Sequence, residues 1–117
     1  MSTKTEAVID HHLEAFSSGD IDELMLDYTD NSVLITPERT LNNLNEICAL
    51  FNKFITDVMP PGCDFELSKK IINGDIAYLI WSAESDNYKI PFGTDTFVIK
   101  DGKIATQTVA MVLELKN

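Results

Sequence analysis

The sequence predicts an α+β fold in which a curved, mostly antiparallel sheet wraps around three N-terminal helices. Helical periodicity is confined to the first half of the chain, which closes with Pro60-Pro61-Gly62, a run that stops a helix. The second half alternates between apolar and polar residues and contains Asn73-Gly74 and Asp101-Gly102, which are dipeptides favoured in two-residue hairpin turns. Helices followed by strands are typical of a sheet layer packed on a helical layer.

A single domain over residues 1–117 accounts for the whole sequence. The 117 residues, 44% of them hydrophobic, suffice for one core of modest size. Nine basic and 19 acidic side chains give a formal net charge of -10, which repels phosphate backbones and anionic membrane surfaces. We therefore expect no nucleic-acid partner and no membrane partner, and the simplest role of the acidity is solubility.

The first residues show no targeting segment, because no apolar run leads to a small-residue cleavage site. No stretch approaches the roughly 20 apolar residues that a membrane helix needs. We therefore expect a cytoplasmic protein with reduced cysteines. Cys48 is expected to be a small core residue, and a disulfide to Cys63 would require an oxidising compartment.

Two helices are predicted at the start of the chain. The first, from about Thr3 to Ser18, carries an apolar stripe at helical spacing, flanked by a stripe that contains His12. The apolar stripe consists of Ile9, Leu13 and Phe16. Gly19 suits the left-handed position after a helix, and Asp20 can cap the second helix, which runs to about Asp27. This second helix presents Ile21, Leu24 and Met25 to the core.

A short strand from Asn31 to Thr36 ends at Pro37, and a turn or loop is predicted from Pro37 to Leu41. The strongest helical pattern of the chain follows. Its apolar positions are Ile47, Leu50, Phe51, Phe54, Ile55 and Val58. We expect this third helix to lie on a broad apolar surface.

Four consecutive antiparallel strands are predicted after the proline run, with the strand at Val33 as a fifth. Asn73-Gly74 joins a strand from about Asp64 to Ile72 to one from about Ile76 to Ser85. Asp86-Asn87 turns the next corner, and Asp101-Gly102 forms the last hairpin.

The strand before Asp101 places a carboxylate on an apolar face. Asp95, Phe97 and Ile99 share one side by the period-2 rule, but the opposite side is also apolar, with Ile90, Phe92 and Val98. Periodicity alone leaves open which side faces the core. An inward Asp95 must be protonated, paired or close to water, and the hydroxyls of Thr94, Thr96 or Thr108 are alternative partners for it.

The order of the elements and several short motifs resemble the nuclear transport factor 2-like superfamily, which includes ketosteroid isomerase and the SnoaL-like polyketide cyclases. The matching segments are Ser18-Gly19-Asp20-Ile21-Asp22, Tyr28-Thr29-Asp30-Asn31-Ser32-Val33, Pro37, Thr94-Asp95-Thr96-Phe97 and Asp101-Gly102-Lys103-Ile104. The resemblance spans nearly the whole chain. It implies a cone-shaped domain with a mainly hydrophobic cavity between the helices and the concave face of the sheet, although one fold hosts many activities.

The resemblance also implies where a reactive site would lie. In ketosteroid isomerase a general-base aspartate works with an oxyanion hole made of a tyrosine and a protonated aspartic acid. Asp95 is similar in position to that protonated acid, and His12 stands in the place of the tyrosine. Thr36 stands in the place of the base, and its hydroxyl cannot abstract a carbon-bound proton near neutral pH. We therefore expect no isomerase reaction of that type, and Asp95 and His12 are the catalytic candidates for other acid or base chemistry.

The ligand-binding wall implied by the resemblance contains Thr36 and aromatic residues. The aromatic candidates are Phe16, Tyr28, Phe54, Trp81 and Phe97. The polar aromatics could equally be core residues, and His12 could be a partly buried histidine satisfied by one hydrogen bond. Its neighbour His11 points about 100° away along the helix, so the two form no metal pair, and we expect His11 to be exposed to solvent.

Two functions are consistent with these residues. The first is binding of a small hydrophobic molecule with one polar group, with or without cofactor-free isomerase, cyclase or hydrolase chemistry. The alternative is a non-catalytic module that forms a homodimer through the outer sheet face. A hydrolase of the limonene-epoxide type, with an Asp-Arg-Asp arrangement, is disfavoured because Arg39 is the only arginine. No spacing of ligating residues predicts a metal, and no phosphate loop or nucleophile elbow predicts a cofactor or a serine hydrolase.

Overall fold

The computed structural model describes residues 2–116, with side chains from Lys4 onward. The helices are α1 Ser2–Ser18, α2 Ile21–Met25 and α3 Leu44–Asp57. The strands are β1 Val33–Ile35, β2 Thr40–Leu41, β3 Asp64–Asn73, β4 Ile76–Glu84, β5 Tyr88–Lys100 and β6 Lys103–Leu115. The predicted α+β architecture is therefore confirmed. Over the described residues, every helix is too short or too polar to traverse a bilayer.

The strands form one curved, open sheet in the order β2-β1-β6-β5-β4-β3. Strands β3 to β6 pair antiparallel in sequence, as predicted, whereas β1 pairs parallel with β6, with Val33 opposite Thr106. Strand β2 was wrongly predicted as part of a loop. It forms because Leu41 is buried at 3% exposure and pairs with Leu34 at the edge of the sheet.

The helix boundaries follow from local chemistry. Gly19 has φ of 70° after α1, and an added Cβ would come within 2.5 Å of Pro61 Cγ, so both its conformation and its packing require glycine. The Asp20 carboxylate accepts from Glu23 N at 3.1 Å and caps α2. Helix α2 ends at Met25, two residues before the predicted Asp27.

The hairpin turns follow the predicted dipeptides, with one offset. Asp101 and Gly102 have φ of 53° and 76°, as a type I′ turn requires. The β3–β4 turn is at Gly74-Asp75 rather than at Asn73-Gly74, because Asn73 pairs with Ile76. Gly74 takes the positive φ of 60° at the first turn position.

The core lies between the helices and the concave face of the sheet. Ile9, Ile47, Leu79 and Phe97 are fully buried there. Cys48 was wrongly predicted to be a core residue. It is half-buried, and Cys63 packs against the core instead, both as free thiols.

A β-bulge in β5 around Pro91 decides which residues of this strand face the core. The register between β4 and β5 shifts between Trp81 and Ala83, and Pro91, which cannot donate to the ladder, lies there. As a result Ile90 is buried at 1% exposure while Phe92 is 50% exposed. After this bulge, Asp95, Phe97 and Ile99 face the concave side of the sheet.

Candidate functional site

A cavity of about 350 Å³ lies between the helices and the concave face of the sheet. The helices contribute Leu13, Phe16, Leu50, Phe51 and Phe54 to its wall. The sheet contributes Leu34, Phe65, Leu79, Trp81, Val109 and Met111. The segment 36–39 forms a solvent-facing rim. Most of this wall is apolar, so the few polar groups that reach it determine which polar atoms a ligand could satisfy.

Asp95 lies on the concave face of β5 and is 8% exposed. Its cross-strand neighbours are Leu79 on β4 and Val109 on β6, neither of which can hydrogen-bond through its side chain. Asp95 Oδ1 is buried and has no hydrogen-bond partner in the described part of the chain. A buried carboxyl without partners is costly to ionise.

The threonines that were alternative partners for Asp95 face the other way. Thr94 and Thr96 flank it on the same strand, and Thr108 pairs with Thr96 on the convex side. A β-bulge beside Val98 causes this placement, because it shifts β6 by one residue and sets Val109, not Thr108, opposite Asp95.

Burial raises the pKa of the Asp95 carboxyl from 3.8 to about 7, because the ionised form loses its hydration. The side chain of Trp81 lies within hydrogen-bonding range of the carboxyl and acts against this increase in the pKa. Trp81 Nε1 is nevertheless buried without a hydrogen bond of acceptable geometry. A carboxyl with a pKa near 7 can donate or accept a proton at physiological pH.

The indole of Trp81 is held in place from both sides. An added Cβ at Gly93 would lie 2.6 Å from Trp81 Cε2, so the ring lies directly over the glycine backbone of β5. On the other side Phe65 stacks on it, with ring centroids 5.8 Å apart. The direction of the Trp81 N–H is therefore fixed by packing.

His12 on α1 is 3% exposed and is surrounded by aromatic rings. These rings are Phe16, Tyr28, Phe51 and Phe97, with centroids 5.1 to 6.4 Å away. Burial lowers the pKa of His12 to about 4, because the imidazolium is desolvated, and the charge of His11 adds to this effect. No hydrogen bond between described residues joins His12 to Asp95, so the two do not form a direct dyad.

Behind His12, Tyr28 and Gln107 form a buried pair that the sequence analysis did not identify. The Tyr28 hydroxyl donates to Gln107 Oε1, and His12 Nδ1 lies 3.4 Å from the same hydroxyl. Because the Tyr28 proton is directed at Gln107, a contact with His12 requires the imidazole proton on Nδ1. His12 Nε2 is then an acceptor.

At the rim, the Thr36 hydroxyl is hydrogen-bonded to backbone groups of the turn in which it lies. It donates to Arg39 O at 3.0 Å and accepts from Glu38 N and Arg39 N at 3.2 and 3.0 Å. Arg39 is exposed, and Asp95 is the one aspartate among the described residues that line the cavity. Thr36 is thus not available as a base, the exposed Glu38 is the carboxylate of the rim, and the described lining residues form no Asp-Arg-Asp set.

The structure brings most of the predicted site residues to one cavity. Its wall includes His12, Phe16, Thr36, Phe54, Trp81 and Asp95. Tyr28 and Phe97 lie behind the wall, 4% and 0% exposed, where they pack against His12. The roles of all eight residues in binding or catalysis stay predictions.

Comparisons with known proteins agree with this fold. The family model described as a SnoaL-like domain matches residues 9–107. A search of curated proteins found no significant match. A solved NTF2-like protein of unknown function from Mesorhizobium loti has a TM-score of 0.80 at 18% identity, over 95% of this chain and 93% of its own.

Two further solved structures show how little the fold alone says about activity. An LEH-like epoxide hydrolase from M. tuberculosis has a TM-score of 0.75 at 13% identity, covering 95% of this chain and 84% of its own. A de novo designed protein with a curved β-sheet has a TM-score of 0.80 at 12% identity, covering 96% of this chain and 88% of its own. At such identities the likeness establishes the fold alone.

Proposed function

Because this chain belongs to the SnoaL-like domain family, we propose that it binds a small, mainly hydrophobic molecule with one polar group in the cavity beside Asp95. The observation that supports this proposal is an apolar recess of about 350 Å³ whose wall carries the buried Asp95 carboxyl, with a pKa near 7. A recess of this size is within the range of small-molecule sites.

The same carboxyl is the group best suited to chemistry on a bound ligand. Asp95 can act as acid or base near neutral pH. His12, with its pKa near 4, is neutral there and serves as a hydrogen-bonding group. Acid or base chemistry near neutral pH is therefore assigned to Asp95 rather than to His12 or Thr36.

Binding can be tested with the intrinsic fluorescence of Trp81, the only tryptophan in the chain. We expect the bicyclic hydrocarbon tetralin to change this fluorescence with a dissociation constant on the order of 10–100 µM. Val109→Phe should weaken this binding at least about tenfold, because Val109 lies opposite Asp95 in the wall.

The matched control is Val112→Phe, the same substitution on the exposed, convex side of the same strand. It should leave the dissociation constant unchanged. No response of the wild-type protein to tetralin, or equal weakening by both variants, would count against the cavity as the binding site.

We also propose that the protein forms a homodimer through the convex face of the sheet. We define this face as the central outward positions of β4, β5 and β6, which lie between Lys100 at one end and Glu114 at the other. They are Ile76, Tyr78, Ile80, Phe92, Thr94, Thr96, Val98, Thr106, Thr108, Ala110 and Val112. None of these is charged, although 24% of the chain is charged. Depletion of charge is typical of the core of an interface.

A further inference from the structure

Trp81 and Asp95 carry the two buried side-chain polar atoms that lack a hydrogen bond of acceptable geometry in the described part of the chain. They lie on neighbouring strands and both line the cavity. Their residues are only 6% and 8% exposed. Buried polar groups are nearly always satisfied in native proteins, so two adjacent exceptions on residues that line one recess indicate that a missing partner supplies both hydrogen bonds.

The two atoms place opposite demands on that partner. An indole N–H can only donate, whereas an ionised carboxylate can only accept. Among the other polar groups of the wall, Gln107 Oε1 accepts from the Tyr28 hydroxyl and the Thr36 hydroxyl bonds within its own turn, while His12 Nε2 remains an acceptor. The missing partner must therefore offer an acceptor to Trp81 and a donor to Asp95.

A hydroxyl group meets both demands with a single oxygen atom. A ketone only accepts, so it can satisfy Asp95 only when that carboxyl is protonated. An ammonium group has no lone pair for Trp81, and an anionic ligand is repelled by a chain of net charge -10.

Resting on the function proposed above, we infer that Trp81 Nε1 and the Asp95 carboxylate together recognise the hydroxyl of an alcohol or phenol. The hydroxyl oxygen accepts from Trp81 Nε1–H, and its proton is donated to Asp95. Trp81 is preorganised for this contact by Gly93 and Phe65, so little ordering of the indole is needed on binding.

Three compounds with one carbon skeleton test this inference: tetralin, 2-tetralone and 2-tetralol. Calorimetry at pH 8, where Asp95 is ionised, should show 2-tetralol binding at least about tenfold more tightly than 2-tetralone, since hydrogen bonds to charged groups are the strong ones. At pH 5.5, where Asp95 is protonated, that preference should shrink to a few-fold or less.

Proton exchange provides a second readout that needs no substitution. A hydroxyl that donates to the carboxylate favours the ionised form, so 2-tetralol binding near pH 7 should release protons. A ketone that accepts from the protonated form should take protons up. Titrations in two buffers with different ionisation enthalpies measure the sign of each change.

Two variants separate the contribution of the Trp81 indole to binding from that of the Asp95 carboxyl. Trp81→Phe should weaken 2-tetralol and 2-tetralone by a few-fold and leave tetralin unchanged, and Asp95→Asn should abolish the pH dependence of the preference. Asp86→Asn, at an exposed turn, is the matched control and should change nothing.

The outcomes distinguish this inference from the proposed function. If tetralin binds and the alcohol and ketone are equivalent at pH 8, hydroxyl recognition is wrong while cavity binding stands. If Trp81→Phe leaves all three affinities unchanged, the role of the indole is wrong. If none of the three compounds binds the wild-type chain, the cavity function fails, and the inference fails with it.

Discussion

At the scale of single residues, Asp95 and His12 are two buried titratable groups whose pKa values move in opposite directions. The raised pKa of Asp95 means that its contribution to stability is present below about pH 4 and is lost as pH rises through 7. The lowered pKa of His12 means that its contribution is present above about pH 6.5 and is lost as pH falls through 4. The two effects oppose each other between pH 4 and 6.5.

Asp95→Asn should isolate the cost of the buried carboxylate. Relative to wild type, the variant should gain about 4 kcal/mol of unfolding free energy between pH 4 and pH 8, because wild type must ionise Asp95 in the core. Urea unfolding at several pH values measures this difference. A gain that is the same at every pH, or an equal gain for Asp86→Asn, would contradict the burial argument.

The sequence identified the two reactive residues but not their surroundings. Asp95 and His12 could be named because a motif and a helical stripe place them. Gln107 was missed because its position depends on the bulge beside Val98, and an uninterrupted hairpin would turn the same residue outward. Tyr28 was expected in the cavity wall, but its hydroxyl donates to Gln107 behind His12. The packing of the core determines this position, and no local sequence signal indicates it.

At the scale of elements, His11 links α1 to α2. Its Nε2 lies 2.7 Å from Glu23 Oε1, and its Nδ1 lies 2.8 Å from Asp27 Oδ2. The hydrogen bond to Glu23, followed by that to Asp27, raises the pKa of His11, while burial raises the pKa of Asp27. His11 is thus half-buried and paired, rather than simply exposed as predicted, because it lies one residue before the cavity-facing His12 and meets the carboxylates of Glu23 in α2 and of Asp27 just after α2.

We expect His11→Gln to lower the melting temperature more at pH 6 than at pH 8.5. A raised histidine pKa gives stability that is present below the unfolded value of about 6.5 and is lost as pH rises through the folded value. Solvent screening limits the effect to about 1 kcal/mol or less.

The control for this prediction is Lys53→Gln, which removes a positive charge from an exposed position on α3. Calorimetric melting of both variants at the two pH values makes the comparison. An equal loss for His11→Gln at both pH values would show that the link between α1 and α2 does not depend on an imidazolium.

The elements themselves were largely predictable, since caps, helical stripes and turn dipeptides are local signals. The β3–β4 turn was misplaced by one residue because Gly74 can occupy either central position of a tight turn. Strand β2 carries no local signal of its own. Its two residues become a strand only because β1 offers them an edge after the chain has folded.

At the scale of the whole molecule, the uncharged convex face predicts a dimer at micromolar concentration. Thr96→Lys should give a monomer, because Thr96 lies between Tyr78 and Thr108 at the centre of that face and a buried unpaired charge is costly. Sedimentation velocity at about 10 µM, a concentration at which dimers of micromolar affinity are well populated, checks both expectations.

Thr40→Lys on the exposed edge strand β2 is the control and should leave the dimer intact. A wild-type protein that sediments as a monomer at this concentration would refute the dimer. The arrangement of helices on one side of a sheet was readable from the sequence, whereas the division of apolar residues between the two faces was not, because both faces of β5 are apolar.

The parallel pairing of β1 with β6 also has a consequence for biosynthesis. Val33 cannot reach its partner Thr106 until more than seventy further residues have left the ribosome. During translation the early helices therefore have no sheet to dock on, and folding awaits the final hairpin, as expected for contacts distant in sequence. Nascent chains of this protein should depend on protection of their exposed apolar stripes until that hairpin emerges.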